Sequence, residues 1–145
     1  MARPTPGGKP RSLLHPGFIG AGSALLIAAC ASDATYCQTA IWQWANFSVW
    51  LIAAGLVLAL VAAIFLVIDF VSGRAGQISW IPFLLVAAAA LLSLLNVFVH
   101  SRDAWTSVVP QGIGLSAVVT ALLLITAIRG WTVTTPRAAP SEDRT

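Results

Sequence analysis

Charge is what this chain has least of. Charged residues are 9% of the sequence, against about a quarter in an ordinary soluble domain, while 58% is hydrophobic and the mean hydropathy is +0.86. A water-soluble globular fold is excluded, and the class is integral membrane. Cysteine is nearly missing too, since Cys30 and Cys37 are too few for a disulfide framework or a four-thiolate metal site. The chain also lacks a phosphate-binding glycine loop, a metal-spaced set of His and Cys, and a serine with a recognisable base partner. Nothing therefore points to hydrolytic or transferase chemistry, and the expectation is a protein that is not an enzyme. No basic patch interleaved with aromatics offers a nucleic-acid footprint. The net charge of +3 sits largely in the two tails and suits an anionic lipid surface.

What is present is long uncharged runs. From Phe47 to Ile68 there are 22 residues without a charge, and the run stops at Asp69. As a helix it is roughly 33 Å long, enough to cross a hydrocarbon core of about 30 Å. Four such spans are predicted, at about 14–36, 41–71, 80–100 and 111–131, between a flexible basic tail, 1–13, and a flexible polar tail, 132–145. The first is the weakest, reaching spanning length only by including Leu13, Leu14 and the Asp33 to Tyr36 end. Trp42, Trp44, Trp50 and Trp80 stand where an interfacial aromatic belt is expected. The short turn at Ser72 to Ser79 returns the third span antiparallel to the second. The fold class is an all-α antiparallel four-helix bundle in a membrane, with short loops. Four spans put both termini on one side, together with Arg74 and Arg129 and against Arg102 alone. The positive-inside rule makes that side the cytoplasm, and the bacterial inner membrane is the expected location.

At 100° per residue, Ser48, Gly55, Ala59, Ala62, Leu66 and Asp69 share one stripe of the second span, with Trp50, Val57, Ile64 and Ile68 opposite. Helices in lipid associate through close backbone approach, so the small stripe is the packing face and Asp69 is aimed inward. The third span aligns Ala89, Ser93, Asn96 and His100; the fourth aligns Gly112, Ser116, Thr120, Ala127 and Gly130. On the first span His15 and Asp33 are 18 residues apart and share an azimuth with Gly22 and Ala29. Gly20, Ala24 and Ala31 offer it another small face for a further neighbour. One polar end then gathers His15, Asp69 and Arg74, and the other gathers Asp33, Asn96, His100, Arg102 and Asp103. Intramembrane charges seldom persist unpaired, so Asp33 is expected to meet Arg102 or His100, and Asp69 to meet His15 or Arg74. The alternative is that these are helix-end residues reaching water.

A bis-histidine haem needs two imidazoles at one level of the membrane, and His15 and His100 fall at opposite ends. One chain cannot make that site from its two histidines, which leaves haem to a dimer or to a histidine with another ligand. Asn96 and His100 at i,i+4 read as a proton-relay step or, more commonly, a polar clamp. His100 in a loop could sense pH, though such a residue is usually just solvated. Ile27-Ala28-Ala29-Cys30 matches a lipoprotein cleavage box, with ordinary first-span helix as the competing reading; intact mass separates the two. Cys30 and Cys37 on one continuous helix are about 10 Å apart, beyond disulfide reach. Cys37 is expected outside and Cys30 as a buried apolar thiol.

Several short motifs resemble a bacterial four-span membrane family catalogued as domain of unknown function 2231. They are His15-Pro16 ahead of a Gly-rich span ending at Asp33, Asp69 closing the second span, Arg102 closing the third, and the Leu115-Ser116 start and Gly130-Trp131 end of the last. The likeness covers roughly Leu14 to Trp131. Members of that family commonly carry a further histidine near the start of the third span, where this sequence has Pro82 and Phe83, and some are joined to Rieske-type iron–sulfur domains. The resemblance implies an electron-transfer neighbourhood. The expected function is a non-enzymatic accessory or packing subunit near redox partners, without a cofactor of its own, partnered by the bilayer and by a second copy or another membrane protein. The alternative is a small haem-binding redox component or a proton or solute transporter.

Overall fold

The computed structural model describes residues 13, 15–75, 77–102 and 108–131. The predicted basic tail up to residue 12, the polar tail 132–145, Leu14, Asp103 and Trp105 lie outside the described residues. Among the described residues four long helices follow one another: α1, His15–Thr39; α2, Trp42–Val71; α3, Trp80–His100; and α4, Gln111–Arg129. All four are long and apolar enough to cross a membrane. They pack as a bundle in which α1 lies closest to α2, α3 against α4, and α1 also against α4, while α2 and α3 meet more sparsely than these. α1 is therefore the central strut.

The α1–α2 seam is set by two glycines. A Cβ on Gly22 would stand 3.1 Å from the carbonyl oxygen of Gly55, and one on Gly55 would stand 2.9 Å from Leu26 Cγ and 3.2 Å from the Gly22 oxygen. Such close backbone approach lets dispersion act between helices that gain nothing from hydrophobicity in lipid. Serine hydroxyls reinforce it, with Ser32 Oγ donating to the Trp44 carbonyl at 2.8 Å and Ser48 Oγ to that of Ala29 at 3.3 Å. Below them, the Phe18 and Phe65 rings stack with centroids 5.3 Å apart. All four helices meet in a core of Leu26, Ala29, Ile52, Ala89, Val119 and Leu123. The back of α2, carrying Trp50, Val57, Ile64 and Ile68, is exposed from the bundle.

The structure corrects several expectations about faces. Gly20, Ala24 and Ala31 are exposed: α1 reaches its partners with one broad face that includes Leu26, Ser32 and Tyr36. Ala127 is also exposed, because the buried stripe of α4 runs through Gly112, Ser116, Val119, Leu123 and Thr126 and takes up larger side chains on the way. α1 continues past Tyr36, which keeps Cys30 and Cys37 on one helix as free thiols, the first half-buried rather than buried and the second exposed. His100 is the last residue of α3 rather than a loop residue, and it is buried.

The seam predicts opposite outcomes for two glycines of one helix. Gly22→Val forces α1 and α2 apart and lowers stability by about 1–3 kcal/mol. Gly20→Ala, where nothing lies within 4 Å, is neutral or raises stability by up to about 1 kcal/mol through helix propensity. Unfolding midpoints in mixed dodecyl sulfate micelles measure both.

Candidate functional site

Two polar clusters sit at opposite ends of the bundle, and α1 contributes to each. At the Asp33 end, the acid lies one turn from the buried Tyr36, facing the end of α3 and the first turns of α4. Asp33 Oδ1 is 2.9 Å from His100 Nε2, and Ser116 Oγ donates to Asp33 Oδ2 at 2.6 Å. Asn96 Nδ2 donates to Ser116 Oγ at 2.8 Å, and His100 Nδ1 lies 3.1 Å from both the Asn96 carbonyl and Asn96 Oδ1. Asp33 is 0% exposed and Asn96 1%. Three helices are thus joined by side chains withdrawn from both water and lipid.

Hydrogen bookkeeping defines this cluster further. Ser116 spends its one hydrogen on the carboxylate and accepts from Asn96, which fixes the amide with Oδ1 toward His100. His100 Nδ1 then faces two acceptors and must donate. Its Nε2 faces a carboxylate oxygen, so one more hydrogen lies between Asp33 and His100. Both carboxylate oxygens, both imidazole nitrogens and both amide atoms are satisfied, the condition under which a buried polar network rigidifies rather than weakens a core.

At the His15 end the arrangement is sparser. His15 begins α1 and is 0% exposed; its Nδ1 is 2.9 Å from Asp69 Oδ2, near the end of α2. The half-exposed Arg74 guanidinium stands 3.9 Å from Asp69 Oδ1. The chain wraps around the same acid, with the backbone N–H groups of Arg74 and Ala75 both donating to the Asp69 carbonyl. The Trp131 and His15 rings meet edge to face, centroids 6.1 Å apart. His15 Nε2 and Trp131 Nε1 are both buried without a hydrogen-bond partner among the described residues, as is Thr120 Oγ1 on α4. Between this end and the core lies an apolar cavity of about 210 Å³, walled by small residues such as Gly22, Ala59, Ala62, Ala87 and Ala90.

Of the residues singled out in the sequence, Asp33, Asn96 and His100 come together at one end, and His15 and Asp69 at the other. Arg102 does not join Asp33: it is exposed and donates to Gln111 Oε1 at 3.2 Å. The shorter His100, held one turn beyond Asn96, already occupies the carboxylate. Burial also removes the reading of these acids and histidines as helix ends reaching water. Ser116 as partner of Asp33 and Trp131 as neighbour of His15 were not anticipated as site residues. The signal for the first was its place on the small-residue stripe of α4; nothing in the sequence marked the second as a contact. His15 and His100, at opposite ends of α1 and its neighbours, cannot ligate one haem within a single chain.

A family model described as a predicted membrane protein, DUF2231, matches residues 11–138. No curated protein and no solved structure matches the chain.

The Asp33 cluster predicts strong coupling. Asp33→Ala or His100→Ala alone leaves a buried group unpaired and costs about 3–5 kcal/mol, whereas the double variant costs less than the sum. Arg102→Ala changes stability by no more than about 0.5 kcal/mol. A double-mutant cycle on unfolding in mixed micelles reads all three.

Proposed function

We propose a function from one premise: the chain belongs to the DUF2231 family of predicted membrane proteins, with four apolar helices in a lipid bilayer. The proposed role is a non-enzymatic accessory or packing subunit of the bacterial inner membrane, with both termini cytoplasmic. It associates there with a second copy or with another membrane protein, in the vicinity of redox partners.

The observation that carries this reading is the saturated Asp33 cluster. Every polar atom of Asp33, His100 and the Asn96 and Ser116 side chains is engaged by the others. Groups so engaged hold helices in register rather than bind a substrate. The exposed apolar back of α2 and the outward Leu84, Leu91, Leu95 and Phe98 of α3 offer a surface for lipid or for a neighbouring helix.

A second reading has one observation in its favour. His15 is held through Nδ1 by a carboxylate while its Nε2 is unpartnered among the described residues, the arrangement by which carboxylates orient metal-ligating histidines. A bis-histidine haem on that nitrogen needs its second imidazole from another chain.

Purification of the tagged chain from membranes, with an absorbance spectrum and native mass, separates the readings. The accessory role predicts a colourless protein that carries one stoichiometric membrane partner or a second copy. A Soret band that disappears in His15→Leu contradicts it and supports the redox reading.

A further inference from the structure

We propose that the apolar cavity is a groove for one acyl chain of a phospholipid, entered sideways between α2 and α3 from the leaflet at the Asp69 end. Facing stripes of the two helices make the groove. Ala59, Ala63 and Leu66 of α2 follow at i, i+4 and i+7, as do Phe83, Ala87 and Ala90 of α3. Alanines on both sides leave room where these two helices meet sparsely. The floor, with Gly22, Leu26, Ala89 and Leu123, is buried, whereas Ala63 on one rim is exposed and Ala87 and Ala90 on the other are half-buried. The cavity is therefore open on its lipid side.

Chemistry, size and depth select the occupant. Apart from Ser23 and Trp131, whose indole nitrogen is buried out of reach, the walls are hydrocarbon, and a water there would need about two to four polar partners. Left empty, the lining forfeits dispersion contacts that the surrounding lipid can supply. The volume of about 210 Å³ exceeds the roughly 150 Å³ that admits a benzene ring. It takes a length of chain, whereas a helix about 10–12 Å across does not fit within it. A second hollow, bordered by Phe70, Trp80 and again Phe83, carries the groove toward the end of α2. From Ala59 to Phe70 is roughly 16 Å of helix, close to one leaflet's share of a hydrocarbon core about 30 Å thick. A lipid with its head at the level of Trp80 thus lays one chain along the groove, its methyl end beside Leu26 and Ala89.

The test places the full chain in phosphatidylcholine nanodiscs doped with phosphatidylcholine that carries a photoreactive diazirine on one acyl chain, either near the head or near the methyl end. Peptide mass spectrometry maps the adducts after illumination. The methyl-end probe is expected to label the buried Leu26 and Ala89, and the head-end probe Leu66 and Phe83. Ala87→Leu narrows the slot and abolishes the adducts on Leu26 and Ala89, while those on the outward Ile64 persist. Adducts confined to outward residues such as Ile64 and Leu91 overturn the proposal, whether the groove stays empty or a second copy covers it. Floor adducts undiminished in Ala87→Leu, or labelling of Leu26 by the head-end probe in place of the methyl-end probe, overturn it as well.

Discussion

A carboxylate enclosed among apolar helices must find its hydrogen bonds and its neutralising partner inside the protein, because neither lipid nor bulk water supplies them. Asp33 is that carboxylate, and the bundle is arranged to answer it. His100 must end α3 at the level of Asp33, and Ser116 must stand in the second turn of α4 to reach the other oxygen. Asn96, one turn before His100, links the two by meeting the ring on one side and the hydroxyl on the other. A slip of one residue in either helix rotates its group by about 100° and breaks the cluster. The register of α3 and α4 relative to α1 is thereby specified, although their apolar surfaces alone distinguish one register from another only weakly.

α1 repeats the device at its other end with the roles exchanged. There the central helix brings the imidazole, His15, and α2 brings the carboxylate, Asp69. Between the two ends, α1 and α2 are held by the contact of Gly22 with Gly55, where the absence of side chains lets two backbones approach. α2 and α3, which share no such contact, meet sparsely and border the cavity. One end of the molecule is closed, with every polar side-chain atom of its cluster engaged, while the other holds an imidazole nitrogen and an indole N–H without partners among the described residues. That asymmetry distinguishes a saturated joint from an unsaturated pair, and the accessory role rests on the saturated end.

The spans were legible in the sequence because long uncharged runs have one physical meaning at this length, and each of the four helices ends within a few residues of the expected boundary. The inward aim of Asp69 was legible as well, because Gly55, Ala62 and Asp69 fall on one stripe of α2. Faces composed entirely of small residues were not. Gly20, Ala24 and Ala31 look as suitable for packing as Gly22 and Ala29, and lipid exerts no force that tells the two apart. The partner of Asp33 was narrowed to His100 or Arg102, but the choice depends on depth and side-chain reach, which spacing along one helix does not contain. Trp131 escaped notice because its contact with His15 joins residues 116 positions apart in the sequence, without a periodic pattern to connect them.

The central claim is that each of the two histidines is held by one aspartate of a neighbouring helix. With only two histidines in the chain, a protein carrying ¹⁵N-histidine and ¹³C-aspartate gives an uncrowded solid-state spectrum in bilayers. Nitrogen–carbon dipolar recoupling tests the claim most directly. The account predicts that both imidazoles couple to an aspartate carboxyl carbon, as required by N···O separations of 2.9 Å, with the His15 coupling lost in Asp69→Asn that lacks the ¹³C label at that position and the His100 coupling retained. Imidazole nitrogens with no coupling to any aspartate carboxyl would contradict it.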